Sequence, residues 1–71
     1  MSDTPQTVSV RILDKAYQVA CPADEVDSLT EAAKFLDQRM AEIRTSGKVV
    51  GLDRIAVMAA LNITHEFLTG V

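Results

Sequence analysis

The chain has 71 residues, is 48% hydrophobic but only 4% aromatic, and carries one cysteine and a formal charge of −3. That length holds one small domain, whose single core supplies roughly 3–5 kcal/mol unless something reinforces it. One cysteine excludes an internal disulfide and a cysteine-rich zinc site, and the acidic balance opposes nucleic-acid binding, so a partner chain is the remaining reinforcement.

Residues 1–6 (MSDTPQ) read as a flexible polar leader, with neither the basic start nor the apolar stretch of a signal peptide. No apolar run approaches the roughly 20 residues that span a bilayer. With the unpaired thiol, this points to the cytoplasm. Residues 7–13 (TVSVRIL) alternate, Val8, Val10 and Ile12 to one side and Ser9 and Arg11 to the other. Residues 16–21 (AYQVAC) alternate again, with Tyr17, Val19 and Cys21 together. A two-residue turn at Asp14-Lys15 would pair Ile12 with Tyr17, Val10 with Val19 and Val8 with Cys21. It puts all six on one face of a hairpin over residues 7–21, although Asp-Gly or Asn-Gly would suit a type I′ turn better.

Pro22 ends the second strand. Asp24 is the expected N-cap of a helix over residues 24–46, with Glu25 and Asp27 favouring its start. Val26, Leu29, Ala33, Leu36, Met40 and Ile43 form a narrow heptad seam along it, leaving Lys34, Asp37, Gln38, Arg39 and Glu42 mostly in water. Gly47 is the expected left-handed residue after its end.

Residues 46–51 (SGKVVG) connect to a second helix over residues 52–71, with Asp53 placed for its dipole. Residues 55–61 (IAVMAAL) are apolar without a break, so they visit every side of that helix. Leu52, Ala56, Ala59, Ala60, Ile63 and Phe67 make one broad face, and Val57, Leu61 and Leu68 a second. Ile55 and Met58 fall on an arc shared with Arg54, Asn62, His65 and Glu66. A helix apolar all round must be covered all round; a ribbon and one helix seam cannot do it, so a second copy should. Ile55, Ala56, Ala59, Ala60, Ile63 and Phe67 are the interface candidates. The apolar pattern still runs at the last residues, as in a helix that continues further in a longer protein.

Motifs for chemistry are weak. Gly47-Lys48 lacks the rest of a phosphate loop, and His65-Glu66 lacks the second histidine of a zinc helix, since Thr69 stands there. Asn62-Ile63-Thr64 matches a glycosylation sequon by chance, and Cys21 falls on the hairpin's inner face. Nothing pairs a nucleophile with a base. No catalysis, cofactor, metal or small-molecule substrate is expected.

The order hairpin, Cys21-Pro22, amphipathic helix, connector, apolar helix resembles the head of the ZapA family. The stretch VSVRILDKAYQVACPADE resembles that family's hairpin and entry into its first helix. LDRIAVMAALNITHEFL resembles the start of its long second helix, Ala59-Ala60-Leu61-Asn62-Ile63 being the most diagnostic part. The likeness covers about residues 8–68 and implies an α+β fold, ββαα, whose second helix is the start of a longer coiled-coil helix.

It further implies a cell-division factor at the mid-cell division ring, dimeric through its heads and tetrameric through the coiled coil. Such a factor binds and bundles filaments of FtsZ, the tubulin-like GTPase of that ring. Lys15, Arg44, Lys48 and Asp53 carry over as FtsZ-facing candidates; the basic ones suit a partner expected to be acidic. The alternative is a ribbon–helix–helix DNA-binding dimer presenting Ser9 and Arg11 to the major groove, opposed by the second strand and the negative charge.

Overall fold

The computed structural model describes residues 5–70. Strands β1 (Pro5–Ile12) and β2 (Lys15–Pro22) are followed by a 3₁₀ turn (Ala23–Glu25) and helices α1 (Val26–Ser46) and α2 (Leu52–Leu68). The fold is α+β, a two-stranded antiparallel hairpin followed by two helices. Of the expected leader, residues 1–4 lie outside the described residues, whereas Pro5 and Gln6 already belong to β1. The chain divides inside α1 into two compact units, one ending at Asp37 and the other beginning at Gln38.

In the first unit the hairpin pairs Ile12 with Lys15, Val10 with Tyr17, Val8 with Val19 and Gln6 with Cys21. This corrects the expected register by two residues. The turn is Leu13-Asp14, not Asp14-Lys15, and both its residues have positive φ, +49° and +70°, the sign that a type I′ turn requires. Because a slip of two preserves which side chains share a face, the inner face keeps the expected residues, with Val10 and Cys21 buried and Val8, Ile12 and Val19 half-buried, although Tyr17, near the turn, is 40% exposed. Both strands of the ribbon come from one chain, unlike the alternative DNA-binding dimer, whose ribbon is shared between two chains.

A leucine in the left-handed region costs roughly 1–2 kcal/mol; aspartate tolerates it better. Two contacts outweigh that cost. The Leu13 side chain is buried, worth about 1.5–3 kcal/mol. Its N–H donates to Asp37 Oδ1 at 2.7 Å, and a hydrogen bond to a charged group adds about 1.5–3 kcal/mol. Asp37, expected in water, is half-buried for this reason.

Asp24 is not an N-cap. It sits inside the 3₁₀ turn, which follows directly from Pro22 with no side-chain cap, so α1 begins at Val26. The seam from Val26 to Ile43 is the side of α1 withdrawn from solvent, with Met40 at 3% exposure its most buried member. Gly47 has φ +72° and donates its N–H to the Arg44 carbonyl at 3.1 Å, closing the helix end.

In the second unit the buried residues are Met40, Ile55 and Ala59. Gly51, at φ +103°, turns the connector into α2, and its carbonyl accepts the first helical hydrogen bond from Ile55 N–H at 3.0 Å. At the other end the Thr69 N–H and hydroxyl both donate to the His65 carbonyl. α2 therefore ends at Leu68, short of the expected span to residue 71, which itself lies outside the described residues.

Candidate partner-binding surface

At about 100° per residue, Ile55, Ala59 and Glu66 line up along one side of α2. This side is withdrawn from solvent: Ile55 is 5% exposed and Ala59 0%. Arg39, from the part of α1 in the same unit, holds Glu66 through both guanidinium nitrogens, Nη1 to Oε1 at 3.2 Å and Nη2 to Oε2. Only the edge of the polar arc, Ile55 and Glu66, joins the packed side, where Ala56, Ala59 and Ile63 of the broad apolar face also lie; Arg54, Met58, Asn62 and His65 stay exposed. Arg39, like Asp37, is half-buried rather than solvated.

The Arg39 hydrogen bond pulls the Glu66 carboxyl below the usual glutamate range, and the same bond raises Arg39. Among the described residues, no group of three or more His, Cys, Asp or Glu could hold a metal ion.

The opposite side of α2 is open. Val57, Leu61 and Leu68 lie roughly 160° round the helix from Ile55 and Ala59, and are 59%, 58% and 74% exposed; Phe67 is 79% exposed. Of the six interface candidates, Ile55 and Ala59 are therefore closed off by the chain itself. Ala56 and Ile63 are half-buried, and Ala60 and Phe67 are exposed. Val57, Leu61 and Leu68, recognisable as a second apolar face but not nominated, are more exposed than any candidate except Phe67 and Ala60. The unbroken apolar run was the available signal; it could not say which side α1 would occupy.

The charged candidates do not form one cluster. Lys15 is exposed in the first unit, directly after the Leu13-Asp14 turn. Arg44, in the last turn of α1, and Lys48 and Asp53 are exposed in the second. Lys48 and Asp53 share a surface hollow of about 390 Å³ with Val49, Val50, Arg54, Val57 and Met58. Arg44 is not part of that lining. The hollow joins apolar walls to a rim of two cations and one acid, and Val57 ties it to the open side of α2. Arg54 and Met58 are the rim and wall members that sequence reasoning passed over, since neither sits in a recognisable motif.

No helix among the described residues is long and apolar enough to cross a membrane. The family model described as Cell division protein ZapA matches residues 8–69. Cell division protein ZapA of Pseudomonas aeruginosa is 61% identical over 62 residues, which take in 87% of this chain and 60% of that protein. Its counterparts in Edwardsiella ictaluri and Pectobacterium carotovorum are 34% and 33% identical over 61 residues, 86% of this chain and 56% of each relative. The chain thus spans less than two thirds of the length of these relatives. A solved structure described as an unknown conserved bacterial protein from Pseudomonas aeruginosa PAO1 superposes with a TM-score of 0.83. It is 60% identical and covers 89% of this chain and 69% of its own. With nearly the whole of its length matched at this level, the chain belongs to the ZapA family of cell division proteins.

Proposed function

We propose that this chain is the head of a non-enzymatic scaffold that self-associates through the open side of α2, binds FtsZ, and bundles its filaments at the division ring. The observation that carries this reading is the apolar strip of Val57, Leu61 and Leu68, left in water on a helix whose other side is packed. An apolar strip of that kind on a small domain marks a surface for another chain, and a second copy presents the same strip, as a two-fold interface requires.

The FtsZ-facing positions are Lys15, Arg44, Lys48 and Asp53, with the hollow around Lys48 and Asp53 as the place where an apolar side chain flanked by acid would seat. One weak head–filament contact, repeated on a symmetric oligomer, becomes effective because the second contact is intramolecular. Where the longer protein carries a coiled coil after α2, dimers pair into tetramers and the bridge between filaments lengthens. The role needs no cofactor, and the compartment is the cytoplasm.

The test is Leu61→Asp, at an exposed position that leaves the packed side of α2 alone. The variant is expected to keep its circular dichroism spectrum, fall to a monomer by light scattering, and lose bundling in a pelleting assay with GTP-polymerised FtsZ while still binding single filaments. A monomeric variant that bundles as well as the parent refutes the scaffold mechanism.

A further inference from the structure

The hairpin has two registers that its alternating side chains cannot tell apart. In the observed one the turn is Leu13-Asp14 and Val10 faces Tyr17. Slipped by two residues, the turn becomes Asp14-Lys15, Val10 faces Val19, and every inner side chain stays on the inner face. The difference falls on Lys15. In the observed register it is the first residue of β2, paired with Ile12; in the slipped one it is a central turn residue. Neither turn contains the glycine or asparagine that would choose between them.

One interaction does distinguish the two. The Leu13 N–H, which the turn leaves without a cross-strand partner, donates to Asp37 Oδ1 at 2.7 Å, from a residue 24 positions away on α1 and in the same unit. Leu13 is held with φ at +49° and its side chain buried, a conformation that leucine adopts only when its surroundings impose it.

We infer that Asp37 is a positioning residue for partner binding: by anchoring the Leu13 amide it selects the hairpin register and so fixes where Lys15 leaves the ribbon. This rests on the reading of Lys15 as a filament contact. A head whose competent register is only partly populated binds more weakly in proportion to that fraction.

The experiment compares the parent chain with Asp37→Ala, Asp37→Asn and Lys15→Ala. It measures cosedimentation with FtsZ filaments and, in parallel, cross-strand nuclear Overhauser contacts and exchange of the Leu13 amide. Asp37→Ala should weaken binding by roughly tenfold, about 1.4 kcal/mol, expose the Leu13 amide, and bring up Val10–Val19 contacts beside Val10–Tyr17. Asp37→Asn keeps an acceptor oxygen and should hold the register, with binding within about twofold of the parent.

If Lys15→Ala weakens binding but Asp37→Ala changes neither register nor affinity, the inference is overturned and the proposed function stands. If Lys15→Ala has no effect, the hairpin tip is not a contact, and both that part of the proposed function and the inference fail. A Leu13 amide that exchanges at free-peptide rates in the parent also overturns the inference.

Discussion

Ile55→Ala separates the part of α2 that stabilises one chain from the part left exposed. The Ile55 side chain is 5% exposed, and Ala59, one turn along on the same side, is fully buried. Truncation removes three carbons, about 0.8 kcal/mol each in transfer terms, and the adjoining buried alanine has no side chain to swing into the gap. With the cavity included, the loss falls in the usual range of about 2–5 kcal/mol. In a domain this small, each kcal/mol moves the melting temperature by roughly 4–8 °C, so a drop of at least about 10 °C is expected.

Val57→Ala, at a position 59% exposed, is the control. The assay is thermal unfolding by circular dichroism across a wide range of protein concentration, because linkage to assembly makes the midpoint concentration-dependent. The Ile55→Ala deficit should persist at every dilution. The Val57→Ala deficit should vanish at low concentration and grow as copies associate. Equal deficits at high dilution, or an Ile55→Ala change within about 0.5 kcal/mol of zero, as for a surface substitution, would show that the division of α2 into packed and open sides is wrong.

The two connector glycines should differ on substitution. At Gly47 a Cβ meets nothing within 4 Å, so Gly47→Ala carries only the backbone cost of φ +72°, whereas at Gly51 the Cβ lands 3.1 Å from Asp53 Oδ1 at φ +103°. Urea unfolding should rank Gly51→Ala as the more damaging, with Gly47→Ala near 1 kcal/mol. Glu66 titrates below its ordinary range because Arg39 holds its ionised form. Its contribution is therefore complete above the unfolded glutamate pKa and is lost as pH falls through the lower folded value. Plotted against pH, the stability gap between the parent and Glu66→Gln should be flat near neutrality and narrow in acid; a gap that widens in acid contradicts the pairing. Lys48→Glu, on the rim of the hollow, should slow association with FtsZ and flatten its salt dependence without altering self-association. Unchanged salt dependence would remove Lys48 from the contact.

Local periodicity alone determined a good deal of this protein. The period of two in residues 7–12 and 16–21 set the inner face of the hairpin, and the spacings from Val26 to Ile43 set the covered side of α1. Gly47 marked the end of that helix, and the unbroken apolar run after Leu52 announced that α2 carries more apolar surface than one chain can hide. What local pattern could not reach was anything defined by a partner distant in sequence. Alternation specifies a hairpin only to within two residues; the Leu13–Asp37 bond, across 24 positions, goes with one of the two registers. Glu66, at the edge of the polar arc beside Ile55, is drawn to the packed side by Arg39, 27 positions away, while the rest of that arc stays exposed. Side-chain pattern states which faces are apolar, but where a helix is apolar on every side, only the approach of another element decides which is buried and which remains exposed.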